Sequence, residues 1–330
     1  MGREWTVGDL LGTSSGYWRG CTLQAAVRMD LFSTIGGGRV RAPDIASSLE
    51  SDPRATEYLL DALAGMGLLS KKDECYENTQ VAADFLVKDS PRYMGYIILH
   101  HHHLVDGWAQ LDQAVRTGQP IQKRSYGAEV EREAFLMGMF NLAMANAPKV
   151  ATAVDLSGRS RLLDLGGGPG TYGIHFCQAN PELRATIYDR PTTEPFARKT
   201  VEKFGLAERI DFVGGDFNTD PIGGGPYDAA WLSHVLHSNG PDECQQLIHT
   251  VVSAMEKGGL ILIHDFILDN DKSGPEFPAL FSLNMLINNP AGRSYSEDEI
   301  DGMLKQAGVG DIKRLPWQGP NNSAIMCGTV

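Results

Sequence analysis

Several absences narrow what this chain can be. No uninterrupted apolar run approaches the ~20 residues that a membrane span requires, so no membrane partner is expected. Positive charge is scarce: 29 Lys and Arg stand against 41 Asp and Glu, a formal net charge of −12. Nucleic-acid phosphates would be repelled, and no nucleic-acid partner is expected. The five cysteines (Cys21, Cys75, Cys177, Cys244, Cys327) are scattered and form no C-x-x-C, which speaks against a disulfide framework or a structural zinc site. The N-terminal stretch MGREWTVGDLLG carries acids and a tryptophan where a secretory signal would carry an apolar core, so a cytoplasmic location is expected. Neither an internal repeat nor a low-complexity tract is present.

What is present is an ordinary globular composition, 42% hydrophobic and 21% charged, over 330 residues, enough for two domains. The chain is organised around Arg161–Gly173, RLLDLGGGPGTYG. Leu162, Leu163 and Leu165 read as a buried parallel strand, broken by Asp164. The turn Gly166-Gly167-Gly168-Pro169-Gly170 follows, and Tyr172, Phe176 and Cys177 then recur at helical spacing. Glycines belong where a ligand approaches the backbone, and the N–H groups of a helix start face what is bound.

Upstream, the spacing predicts a helix from Tyr17 to about Ile35, another over Ala42–Leu49, and a third opened by Ser51-Asp52-Pro53. The third would bury Leu59, Ala62, Leu63 and Met66. Lys71-Lys72-Asp73-Glu74 is a polar turn between short strand-like pieces, so three helices and a hairpin resemble a winged helix. Glu57 and Asp61 beside Arg54 make a poor surface for phosphates, which favours a folding or dimerisation module over a DNA-binding regulator. A long helix is predicted from Tyr93 to Val115, carrying His100–His103, and another from about Glu129 to Ala147. His100 and His103 share a helix face, but no second cluster accompanies them, and no metal site is expected.

From Arg161 onward strand and helix alternate, the mark of a doubly wound α/β sheet. Strands are predicted at Arg161–Leu165, Ala185–Tyr188, Ile210–Gly214, Ala229–Leu232 and Leu260–Ile263, with shorter pieces near Asp311–Leu315 and Ser323–Val330. Ligands in such sheets lie beyond the strands' carboxyl ends, where Asp164, Asp189 and Asp216-Phe217 fall. Asp189 suits ribose hydroxyls, and Asp216 with Phe217 suits adenine. Three acids favour a cationic cofactor and oppose a pyrophosphate. This weighs against a nicotinamide-dependent oxidoreductase, although Gly168, Gly170 and Gly173 also spell G-x-G-x-x-G.

The order acid, then GxGxG, resembles motif I of the class I S-adenosylmethionine-dependent methyltransferases. From Ser233-His234-Val235-Leu236-His237 onward the resemblance narrows to the plant-caffeate, acetylserotonin and bacterial-polyketide O-methyltransferases. It implies a Rossmann-like methyltransferase sheet over 111–330, an N-terminal, mostly helical, winged-helix-like dimerisation domain over 1–110, a homodimer, and S-adenosyl-L-methionine as cofactor. It implies cofactor contacts at Asp164, Gly166, Gly168, Asp189, Asp216, Phe217 and Ser233. His237 matches the histidine that deprotonates the acceptor hydroxyl, and Asp265 matches one of the two acids that orient it. The second acid would fall on Ser294, and Ser238-Asn239 replace the acid and tryptophan that usually follow the histidine. The small, aromatic or polycyclic acceptor would be walled by Phe135, Met139, Met285 and Asn289. A carbon-methylating or non-methylating relative stays open as an alternative.

Overall fold

A computed structural model describes residues 4–121 and 128–330. The chain divides into two compact units, one of Met1–Val105 with Ser125–Asn141, the other of Asp106–Arg124 with Leu142–Val330. A single cut at residue 110 does not express this, because the helix Ala128–Ala153 runs from one unit into the other.

In the first unit, short helices pack around Leu31, Phe32, Ile45, Leu60, Leu63 and Tyr76. The strands β1 (Val40–Arg41), β2 (Leu69–Lys72) and β3 (Cys75–Asn78) form an antiparallel sheet in the order β1-β3-β2. Asp52 caps the helix Pro53–Gly65 by accepting from the Ala55 N–H, and proline suits the first turn because its missing N–H needs no partner there. That helix buries Thr56, Leu60 and Leu63, while Leu59 and Met66 are half-buried and Ala62 is exposed. Of the expected stripe, Leu63 is buried, while Leu60 and Thr56 are buried in place of Ala62, Leu59 and Met66. Two adjacent faces of the helix are both apolar, and spacing alone cannot choose between them.

Two long predicted helices are each two. Tyr17–Arg28 and Leu31–Ile35 are separated where Asp30 takes a left-handed φ of 59°. Gly95–Trp108 and Leu111–Thr117 are separated where the Gln110 side chain donates to the Asp106 carbonyl and closes the first helix. Both breaks lie inside an unbroken apolar rhythm, which is why periodicity runs through them.

The second unit is built on β4 (Arg161–Leu165), β5 (Arg184–Asp189), β6 (Ile210–Gly214), β7 (Tyr227–Ser233), β8 (Met255–Phe266), β9 (Gly310–Gln318) and β10 (Ser323–Thr329). Their order is β6-β5-β4-β7-β8-β10-β9, parallel from β6 to β8, with β10 antiparallel to β8 and β9. Chain direction across the sheet reverses between β4 and β7, the place where such sheets open a crevice at their carboxyl ends. Both faces are covered. Leu163, Ala230, Leu232 and Ile263 pack against Leu247, Ile248, Ile300 and Leu304, while Leu162, Ala229, Trp231 and Leu262 pack against Ile174, Phe176 and Val201.

Trp231 is the largest fully buried side chain, and its ring meets Phe176 at 5.1 Å, Tyr172 at 5.2 Å and His264, stacked, at 5.4 Å. Trp231→Ala should therefore cost about 3–5 kcal/mol in urea denaturation, and Trp231→Phe much less. Equal losses in the two variants would show that the ring contacts do not carry this packing.

Candidate active site

The glycine turn after β4 is shaped by what lies beneath it. Gly166 has φ of 64°, and a Cβ there would stand 2.8 Å from Val235 Cγ2 and 3.8 Å from the Phe217 ring. Only glycine fits that approach. Gly168 instead opens onto free space, and its N–H donates to Asp189 Oδ2 at 2.8 Å. The other Asp189 oxygen accepts from the Arg190 N–H at 2.6 Å. Asp216 is exposed, with Oδ1 accepting from the Asn218 N–H at 3.0 Å, and Phe217 is half-buried.

Asp164 departs from the picture of three acids facing a crevice. It is buried under the turn, where Oδ2 accepts from the Gly173 N–H at 3.0 Å and Oδ1 has no partner. Burial pushes its carboxyl up from 3.8 to about 7, against the Gly173 hydrogen bond and with a smaller push from Asp189. The acid braces the turn from inside.

The parallel register pairs Ser233 with His264, so the loop after β7 meets the end of β8. His237 lies in the 3-10 turn Leu236–Ser238, and Asp265 near the end of β8. Asp265 Oδ1 accepts from His237 Nδ1 at 2.7 Å and from the Phe266 N–H at 2.8 Å, and Oδ2 takes the His237 N–H at 3.3 Å. Burial opposes charge on Asp265, but His237 and His234 outweigh it and hold the carboxyl well below 3.8. An ionised carboxylate only accepts, so Nδ1 of His237 is the donor and Nε2 keeps its lone pair. Phe281 meets the His237 ring edge-on at 4.8 Å, and Phe266 lies 4.7 Å from Phe281 and 5.0 Å from Phe277.

The loop carrying His237 is tied down at each residue. The Asn289 side chain donates to the Ser238 carbonyl at 2.7 Å, and the Tyr295 hydroxyl to the Asn239 carbonyl at 2.6 Å. The Asn239 side chain donates to the Val235 carbonyl at 3.0 Å, and the His234 N–H to the His264 carbonyl at 2.8 Å. Asn289, expected as a substrate wall, is therefore committed to backbone: its Oδ1 also accepts from the N–H groups of Ala291 and Gly292. Met285 is half-buried on the helix Glu276–Asn288, one turn beyond Phe281. Phe135 and Met139 belong to the first unit, where Phe135 is exposed and lies 5.4 Å from the His100 ring. Ser233 Oγ pairs with His264 Nδ1 at 2.9 Å, and Ser294 is buried with an unpartnered hydroxyl, so no acid stands there. Sequence reasoning missed Phe277, Phe281 and His234. For His234 a signal existed, a second histidine three residues before His237.

These features define an α/β enzyme fold with an open glycine turn at the sheet's crevice and a histidine–carboxylate dyad at the ends of neighbouring strands. The family model of the O-methyltransferase domain matches residues 103–310, and that of the O-methyltransferase dimerisation domain matches residues 11–88. The 3-hydroxy-5-methyl-1-naphthoate 3-O-methyltransferase of Streptomyces sahachiroi is 34% identical over 326 residues, covering 97% of this chain and 94% of that protein. PigF of Serratia sp., solved with S-adenosylhomocysteine, superposes with a TM-score of 0.90 at 29% identity, over 99% of this chain and all of that one. Human N-acetylserotonin methyltransferase, solved with S-adenosylmethionine, gives a TM-score of 0.86 at 26% identity, over 100% of this chain and 99% of that one. The chain belongs to the O-methyltransferase family: it is an enzyme, its cofactor is S-adenosylmethionine, and it methylates a hydroxyl of a small molecule. The open backbone at Gly168, with the Asp189 carboxylate beside it, fits that cofactor.

Because native Asp164 holds its proton up to about 7 while the unfolded chain loses it near 3.8, the native state binds more protons between those values. Stability contributed by this group therefore falls as pH rises through that window. Asp164→Asn, which keeps an oxygen for the Gly173 N–H, should flatten the decline when denaturation midpoints are measured across it. An unchanged slope would put the buried proton elsewhere.

Proposed function

We propose that the acceptor is a flat aromatic or polycyclic phenol and that His237 is the general base. The observation that carries this is the 2.7 Å contact between His237 and Asp265, which leaves Nε2 free on a ring packed against Phe281 and Phe266. The naphthoate and acetylserotonin enzymes among the relatives act on aromatic compounds, which agrees with it. When bound, S-adenosylmethionine supplies a methyl group already activated on a sulfonium. Asp189, Asp216 and Phe217 would hold its nucleoside, with Gly166, Gly168 and Ser233 at the turn and strand end. A phenol of pKa near ~10 holds its proton at neutral pH. His237 Nε2 takes that proton while the oxygen acquires the methyl, and Asp265 stabilises the imidazolium through Nδ1–H. The loop bonds from Asn289, Asn239 and Tyr295 keep the imidazole in place. Holding the acceptor in line supplies much of the remaining rate. Met285 continues the apolar wall beyond Phe281.

His237→Ala should lower kcat by about 10²–10⁴-fold and leave affinity for S-adenosylhomocysteine unchanged. A loss under about tenfold, measured on an accepted phenol, removes His237 as the base.

The first unit supports a homodimer built on a winged-helix-like module. Thr6 caps the helix Val7–Ser14 in a reciprocal box with Asp9, yet none of that helix is buried. Val7, Leu10 and Leu11 form an outward stripe at i, i+3, i+4, and Tyr17 and Trp18 beyond them are also exposed. A second copy is the partner that would bury this surface. Leu11→Glu should shift the mass found by light scattering toward the monomer, while a parent chain that is itself monomeric would end this reading. The five free thiols agree with a reducing compartment such as the cytoplasm.

A further inference from the structure

His234 stands beside the dyad, and proton transfer makes no use of it. Its Nδ1 lies 3.5 Å from Asp265 Oδ1, yet forms no hydrogen bond to any group and is shielded from solvent. Leaving a buried polar nitrogen unpaired is unfavourable. The residue also adopts a left-handed φ of 56°, an uncommon conformation for a residue with a side chain. Asp265 Oδ1 already accepts from His237 Nδ1 and the Phe266 N–H, so its hydrogen bonding does not require His234. The neighbouring His264 is turned away, with Nδ1 on Ser233. Two local costs thus keep one more imidazole at a carboxylate that is already satisfied.

Ligand atoms of His234, His237 and Asp265 all lie within 4.8 Å of one another, the one such group of three among the described residues. Bonds of ~2.0–2.2 Å to a tetrahedral ion place ligand atoms roughly 3.3 Å apart. The 2.7 Å and 3.5 Å separations from Asp265 Oδ1 straddle that value, and the ligand atoms of the two imidazoles lie within 4.8 Å of each other, so side-chain shifts alone can close the three on an ion. Two imidazoles and a carboxylate suit zinc, cobalt, nickel, copper or ferrous iron rather than magnesium or calcium. The N–H groups of Phe266 and His237 already orient the carboxylate, as the outer partners of a metal ligand do.

We propose that His234, His237 and Asp265 form a reversible site for a divalent ion of the zinc class, and that its occupancy silences the enzyme. The ion takes the lone pair of His237 Nδ1 and displaces the proton shared with Asp265. The proton of the neutral ring then sits on Nε2, which can no longer accept one from the acceptor. The silencing rests on His237 being the base; the binding does not.

The test is a titration of the full chain with Co2+, without acceptor, followed by the ligand-field absorption of the bound ion and then by competition with Zn2+. One ion per chain should bind. His234→Asn, which tolerates the left-handed backbone, should weaken binding by at least about tenfold, whereas His249→Gln at an exposed histidine should not change it. Added Zn2+ should lower methyl transfer, a chelator should restore it, and affinity for S-adenosylhomocysteine should stay constant. No saturable binding, or binding equal in the parent and His234→Asn, overturns the site. Zn2+ bound at the site with turnover intact overturns the silencing. The absorption needs no turnover, so its failure would leave the assignment of His237 as base untouched.

Discussion

The geometry at the carboxyl edge of the sheet depends on one buried anion. Asp265 sits 4% exposed near the end of β8, a position where an uncompensated carboxylate would be untenable. Its negative charge is sustained by groups from an element remote in sequence: the His237 imidazole and backbone N–H, with the His234 imidazole nearby. The pairing of β7 with β8 delivers them, since Ser233 opposite His264 leaves the next loop no course but across Asp265. The anion then fixes the tautomer of His237 and so decides which nitrogen can take a proton.

Around that contact the structure makes up for residues its relatives would lead one to expect. Where a second acid would stand there is buried Ser294, and where an acid and a tryptophan would follow His237 there are Ser238 and Asn239. The loop is held instead through its backbone, by Asn289 from the turn after the helix Glu276–Asn288, by Tyr295 beyond it, and by Asn239 folding back on Val235. The position of His237 is thereby held by neutral hydrogen bonds, each worth about 1 kcal/mol. Spread over several residues, they are robust to the loss of any one.

The glycine turn shows the same division between what faces a ligand and what supports it. Gly168 presents open backbone, whereas Gly166 is glycine because Val235 crowds it. Asp164, which looks like a ligand contact in the sequence, is turned inward and braces the start of the next helix through Gly173. Counting acids at strand ends therefore overstates the charge that a bound sulfonium would meet directly. Asp189 and Asp216 supply the accessible part.

Much of this was legible in the chain itself. The alternation of apolar strands with helices, the glycine turn after Leu165, and a histidine and an aspartate after the fourth and fifth strands are local patterns, set by backbone propensity and by burial of both sheet faces. Three-dimensional packing alone decided which apolar face of Pro53–Gly65 is buried, where the long helices break, that Asn289 serves backbone rather than substrate, and that His234 joins His237 at Asp265. The last two outcomes turn on distances between residues far apart in the chain. For His234 and His237 at Asp265 it is the pairing of β7 with β8, and no local preference, that sets them.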